Sequence, residues 1–232
     1  MTQISKKEKQ RQIREQKQRE AARKARTKKM LTRVALVIFV PLILIGVIYG
    51  LLGQGEVYPP DQVAEVDHVR GNPDGVILMV YADFQCPACA REAELIERAW
   101  PRLQDDAQLV FRHYPLTGSH AHAWTAALYA EAAGQQGRFW EMHDEIFANQ
   151  AYWSGMSSVE EEFDGYLQDL GLDVEQAHAD MRSDSLVQKV RNDQRGGTRA
   201  GVRSTPTLFV NGRLTATPRN TSALVDLVER NR

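Results

Sequence analysis

Cysteine is nearly absent from this chain. Its 232 residues hold two, Cys86 and Cys89, too close together to tie distant segments into a disulfide framework. They form either a short-loop redox pair or half of a metal site whose other ligands come from His, Asp or Glu. Lysine is scarce after the N-terminus: seven of eight lie in the first 29 residues and only Lys189 follows. Gly and Pro number 16 and 9, which excludes a collagenous or low-complexity chain, and a hydrophobic content of 43% excludes disorder throughout. No internal repeat is visible.

The formal net charge of −1 hides two opposite segments. Residues 1–33 hold 13 Lys/Arg against 3 Asp/Glu, and residues 34–232 hold 16 against 27. Nucleic-acid binding through net basicity is thereby confined to the first segment. That segment lacks the interleaved aromatics that stack on bases, so no nucleic-acid partner is expected. Its run KKEKQRQIREQKQREAARKARTKK consists of strong helix formers with no apolar face to bury, and reads as a solvated basic helix.

Residues 34–52, VALVIFVPLILIGVIYGLL, run without a charge. At 1.5 Å per residue they match the roughly 30 Å of a bilayer core, and Pro41 and Gly46 are tolerated in lipid. The apolar run is longer than a cleaved signal needs, with Gly53-Gln54-Gly55 as the one small-residue cleavage candidate, so it is read as an uncleaved single-pass signal-anchor. The positive-inside rule then leaves residues 1–33 as a cytoplasmic arm, near anionic lipid, and sends the rest to the periplasmic or extracytoplasmic side of an inner membrane.

Residues 53–75 mix Gly, Pro and acids without periodicity and are read as a linker, with the fold beginning at about Val76. VILMVYADF (76–84) suits a strand buried on both faces. Pro87 fits the first turn of a helix that ends before Pro101. AQLVFRHYPL (107–116) reads as a second strand, completing a βαβ unit. From 119 to about 200 come amphipathic helices: AHAWTAALYAEAAGQQ, RFWEMHDEIFANQ, VEEEFDGYLQDL, VEQAHADMRS and SLVQKVRNDQR. TPTLFVNGRLTA then returns to strand, with Asn211-Gly212 as a hairpin turn, and Thr221–Arg230 forms a closing helix.

Cys86-Pro87-Ala88-Cys89 stands where the first strand hands over to the helix. There Cys86 meets unpaired helix N–H groups and the positive end of the macrodipole, which lower a thiol pKa. Cys89, a turn further in, suits the partner that resolves a mixed disulfide. A structural zinc site needs four ligands, and neither a second C-x-x-C nor an H-x₃₋₅-H exists; His120 and His122 are two apart, so no metal is expected. Ser204-Thr205-Pro206-Thr207 puts a proline at the start of a strand within a buried sheet, which a cis Thr205–Pro206 bond accommodates.

Over about residues 60–231 the sequence resembles the DsbA-like branch of the thioredoxin superfamily. ADFQCPACA, FRHYPL, AEAAGQQGRFWEMHDEIF and TPTLFVNG fall in that family's order. The resemblance implies an α/β thioredoxin-like fold over 76–232 with a helical subdomain inserted at about 119–200. It assigns attack on substrate to Cys86, resolution to Cys89 and substrate backbone binding to Thr205 and Pro206, without a cofactor. It also implies exported cysteine-containing proteins as substrates and a membrane redox partner, either a quinone-linked oxidase or a thiol donor. The segment before the fold is too short for the dimerisation domain of the family's isomerases, which favours a monomeric oxidant over an isomerase; a reductase of the same fold remains the alternative within catalysis. A peptide-binding adaptor or chaperone of the same fold is the alternative outside catalysis.

Two positions depart from the family. Ala88 replaces the histidine that stabilises the thiolate in its best-known oxidant, and Val80 stands where thioredoxins carry a buried acid. Asp83 is the nearest carboxylate and reads either as a proton acceptor for Cys89 or as a strand-end acid. His113 reads as a substrate or thiolate contact or, more simply, as a hydrogen-bonded structural histidine. Trp100, Trp124, Trp140 and Trp153 read as packing residues.

Overall fold

The computed structural model describes residues 6–52 and 56–232. The first few residues of the basic arm, and Gly53-Gln54-Gly55 of the expected linker and cleavage candidate, lie outside the described residues. Two units separate at Gly55. The first is one continuous helix, α1 (Lys6–Leu52), which carries Pro41 inside it. Within it Lys28–Val47 is long and apolar enough to cross a membrane, and Leu36, Val37, Phe39 and Ile43 stand exposed along it.

The second unit contains a five-stranded sheet in the order β1-β3-β2-β4-β5. Its strands are β1 (His68–Gly71), β2 (Val76–Ala82), β3 (Ala107–His113), β4 (Thr207–Val210) and β5 (Arg213–Thr215). Strands β2 and β3 run parallel from Val76 opposite Ala107 to Ala82 opposite His113. Helix α2 (Pro87–Ala99) connects them. β1 pairs antiparallel with β3, and β4 with both β2 and β5. The β4–β5 turn falls on Asn211 and Gly212, with φ of 46° and 77°. A side chain at Gly212 would run into Asp61.

Between β3 and β4 lie α3 (Ala123–Gln135), α4 (Phe139–Ala148), α5 (Gln150–Trp153), α6 (Glu160–Asp169), α7 (Val174–Met181) and α8 (Asp184–Arg199). Helix α9 (Thr221–Glu229) follows β5. Side-chain oxygens start three of these helices by accepting a first-turn N–H: Asp173 from Gln176, Ser183 from Leu186 and Asn220 from Ala223, the usual use of Asp, Ser and Asn at an N-cap. Trp153 is fully buried and its indole N–H donates to Ile146 O at 2.7 Å. Trp140 donates to Val69 O at 3.0 Å, tying α4 to β1.

The linker expected over 53–75 is corrected by the structure, because packed chain begins at Glu56 and β1 lies within the expected linker. What holds this polar stretch is an arginine. The Arg112 guanidinium on β3 bonds Asp67 at 2.7 and 3.0 Å and the carbonyls of Tyr58, Pro59 and Gln62 at 2.7–3.1 Å. Arg112 and Asp67 side chains are 2% and 1% exposed. Fixing the segment by charge-assisted hydrogen bonds leaves no apolar periodicity to read.

Candidate active site

The cysteine loop sits where β2 ends. Cys86 is the N-cap residue of α2, in extended conformation, with Pro87 following. Its N–H donates to Asp83 O at 3.1 Å, and Cys89 N–H donates back to Cys86 O at 3.0 Å. Both cysteines are free thiols, 8% and 1% exposed. The Cys86 thiol lies 3.5 Å from Thr205 O, and Cys89 Sγ accepts from the Asp83 N–H at 3.5 Å. The Thr205–Pro206 bond is cis. The structure therefore brings Cys86, Cys89 and the Thr205-Pro206 loop into one place, though β4 lies far from α2 in sequence.

The two sulfurs are not equivalent. Hydrogen bonding from the Cys89 thiol lowers the Cys86 pKa to about 5, against partial burial, and the Thr205 hydroxyl and the Cys89 and Ala88 amides add to the lowering. That hydroxyl is buried without a partner, so it is available to a thiolate. Burial, reinforced by the bond given to Cys86, pushes Cys89 far above the ordinary cysteine value. The pair therefore holds one nucleophile that is ionised at neutral pH and one thiol that keeps its proton.

The helical insertion grips this loop. Gln150 on α5 donates to Phe84 O at 2.6 Å and Cys86 O at 2.9 Å. Gln85 donates to Ser154 O at 2.8 Å and accepts from His122 N–H at 2.6 Å. Neither glutamine was a sequence candidate. Gln85 adjoins the motif, but nothing local marks Gln150.

Asp83 lies beside the pair, and its carboxylate is engaged elsewhere. It accepts from the N–H groups of Gln85 and Leu116, both at 2.7 Å, and from His120 Nδ1 at 2.8 Å. Only its backbone amide meets Cys89, so this geometry makes Asp83 a loop-pinning acid and gives no support to the proton-acceptor reading. Another acid was missed: Glu92, on α2, is 5% exposed, and neither carboxylate oxygen has a hydrogen-bond partner. Its signal was present, because Cys89, Glu92, Ile96 and Ala99 fall on one buried helix face.

His113 is structural in this geometry. Its Nε2 lies 2.8 Å from Glu131, and its N–H donates to Asp193 at 3.0 Å. His113, Glu131 and Asp193 cluster closely enough to suggest a metal site, but Lys189 Nζ supplies the positive charge, 2.6 Å from Asp193 and 3.6 Å from Glu131. Burial opposes the charge on Lys189, and the two carboxylates more than restore it.

The thioredoxin family profile matches residues 63–230. A thioredoxin-like oxidoreductase from Silicibacter pomeroyi DSS-3 superimposes with a TM-score of 0.61 at 27% identity, over 72% of this chain and 92% of that one. BdbD from Bacillus subtilis, in its oxidised form, does so with a TM-score of 0.62 at 16% identity, over 76% and 98%. Among curated relatives, the Na(+)/H(+) antiporter NhaA 1 of Mycolicibacterium gilvum (strain PYR-GCK) is 38% identical over 173 residues, 72% of this chain but 27% of that protein. The chain thus spans about a quarter of that relative's length.

Proposed function

Starting from a chain that belongs to the thioredoxin family, we propose a membrane-anchored thiol–disulfide oxidoreductase of the DsbA-like kind that donates disulfides to exported proteins through Cys86 and Cys89. The observation that carries the reading is the split between the two sulfurs. Cys86 is lowered to about 5 and Cys89 is raised, at the start of a helix and against the cis Thr205–Pro206 loop.

In that direction a substrate thiolate attacks Cys86 of the oxidised pair, and Cys89 leaves and takes up a proton. A second substrate thiolate then attacks the substrate sulfur of the mixed disulfide. Cys86 leaves as the stable thiolate, the substrate gains its disulfide, and the pair holds two electrons. A low-pKa leaving group makes this last step fast. The Thr205-Pro206 loop holds substrate backbone beside Cys86. A membrane redox partner, a quinone-linked oxidase in the oxidant reading, takes the electrons away; no cofactor takes part. Helix α1 anchors the enzyme as a single-pass signal-anchor: residues 34–52 cross the inner membrane, the basic arm stays cytoplasmic against anionic lipid, and the monomeric catalytic unit faces the periplasmic or extracytoplasmic side.

Two measurements on the full chain in detergent test this. Cys86→Ser is expected to abolish exchange, and Cys89→Ser to accumulate substrates as mixed disulfides. An adaptor that only binds peptide would keep its function in Cys86→Ser. Titration against glutathione is expected to give a potential nearer the roughly −120 mV of a strong oxidant than the roughly −270 mV of thioredoxin. A value near the latter would turn the assignment to a reductase.

A further inference from the structure

Glu92 is a buried carboxylate on the cysteine helix that the reading above does not use. It follows Cys89 by one helical turn, so both side chains lie on the same face of α2. The two border one cavity of about 20 Å³, room for a single water molecule. Glu92 also borders an open groove of about 500 Å³, together with Ala88, Pro206 and Thr217. It therefore stands between the buried sulfur and solvent.

An acid held at 5% exposure without a hydrogen-bond partner is most easily kept as the neutral acid. Burial is the main reason its pKa rises to about 7, with the Cys86 thiolate adding to the rise and the nearby Thr217 hydroxyl, which falls short of a well-formed hydrogen bond to it, tempering it. A group so placed changes protonation close to neutral pH.

We propose that Glu92 is the proton acceptor and donor for Cys89, exchanging that proton with solvent through the groove beside Pro206. This rests on Cys86 and Cys89 being the redox pair. When a mixed disulfide on Cys86 is resolved, the Cys89 thiol gives its proton to the Glu92 carboxylate through a water in the cavity that both border. The Cys89 thiolate attacks Cys86 Sγ, the bond from Cys86 to the substrate sulfur breaks, and the substrate leaves as a thiolate. The Cys86–Cys89 bond forms, so the pair is oxidised by two electrons and the substrate reduced by two. Glu92 then releases its proton to the groove. Donation of a disulfide runs the same steps in reverse, with Glu92 protonating Cys89 as it leaves.

The other charged groups around Glu92 are engaged or exposed. On the cavity side, Arg70 of β1 holds Asp144 of α4 at 2.8 and 2.9 Å, and His143 Nδ1 lies 2.8 Å from that same carboxylate. Glu97 is exposed at the cavity edge, and Arg91, Arg219 and the exposed Glu94–Arg98 pair, 2.9 Å apart, line the open groove.

The test is single-turnover resolution of a Cys86 mixed disulfide with a cysteine peptide, followed against pH in the full chain in detergent for wild type, Glu92→Gln and Glu92→Asp. Wild type is expected to show an inflection near pH 7. Glu92→Gln should lose that inflection and resolve at least about tenfold more slowly at pH 7, with the gap closing as pH rises. Glu92→Asp should restore an inflection. Superimposable profiles for wild type and Glu92→Gln overturn the proposal and leave the redox reading standing; absence of exchange in wild type overturns both. Should Glu92→Gln fail to fold, the carboxylic-acid infrared band of wild type decides. The band is expected to grow at pH 7 on reduction of the pair, and an unchanged band refutes the relay.

Discussion

Lowering one thiol from 9.0 to about 5 leaves a mark on how the reduction potential varies with pH. Above pH 5 the reduced pair carries one thiolate and one thiol, so its two sulfurs take up two electrons and one proton on reduction; below pH 5 they take up two protons. Each proton contributes about 30 mV per pH unit to a two-electron couple. The slope is therefore expected to be about 59 mV per unit below pH 5 and about 30 mV above it. A pair with two ordinary thiols keeps the steeper slope to about pH 8.5. By pH 7 the two unit steps since pH 5 leave Cys86 about 60 mV more oxidising than such a pair, equivalent to about 2.7 kcal/mol of extra stability in the reduced form.

The same quantity appears in unfolding. Because the folded pKa of Cys86 is depressed, its contribution is complete above pH 9, about 2.7 kcal/mol at pH 7, and lost as pH falls through 5. The oxidised protein has no such thiolate. Reduced protein should thus gain stability over oxidised protein as pH rises from 5 to 9, measured by denaturant unfolding of each form. Potentials read against glutathione from pH 4 to 8, with the ultraviolet absorbance of the thiolate followed in parallel, provide the direct assay. A slope that stays near 59 mV per unit through pH 5–8, or a thiolate midpoint near 8.5, would refute the reasoning.

The buried carboxyl has the opposite sign: Glu92 rises from 4.5 to about 7 in the reduced protein, so the reduced wild type should lose about 3 kcal/mol between pH 4.5 and 7 from this group alone, at 1.36 kcal/mol per unit. Glu92→Gln should show that much less decline in denaturant unfolding, and an equal decline in both proteins would count against burial as the cause. Asp67→Ala leaves Arg112 buried with its charge uncompensated, so unfolding should show a loss of about 3–5 kcal/mol; a loss under 1 kcal/mol would mean that the 56–75 segment is not held by this pair. Gln150→Ala deprives Phe84 O and Cys86 O of their common donor and should lower stability by about 1–3 kcal/mol, with faster amide exchange at the cysteine loop as the local readout.

Most of the fold was legible because its elements announce themselves chemically. The apolar runs of β2 and β3, the Asn211-Gly212 turn and the capping residues Asp173, Ser183 and Asn220 each carry a local reason for the structure that forms. Residues 56–75 carry none. β1 is a four-residue strand, HVRG, only partly buried along its length, and the turns before it are fixed from β3 by Arg112. Helix α5 was unreadable for a related reason: it is one turn long, and its part in the site is a buried glutamine donating to carbonyls more than sixty residues away. Periodicity reports burial of apolar side chains, and it is silent where polar groups organise the chain.

The two acids show the same division within the site. Asp83 stands three residues before Cys86, and sequence distance alone made it the candidate to exchange a proton with Cys89. In space its carboxylate turns away to Gln85, Leu116 and His120. Val80, where related thioredoxins carry their acid on the strand, borders the same cavity as Cys89, and so does Glu92. The carboxylate missing from β2 thus reaches that cavity from α2 instead. A helix face that buries Cys89, Ile96 and Ala99 has little reason to bury a glutamate for packing, since an apolar residue there would be more stabilising. The same face provides what the chemistry needs: a thiol raised by burial and, one turn away, a carboxylate that burial has made more basic than an ordinary glutamate, placed to assist as the thiol attacks.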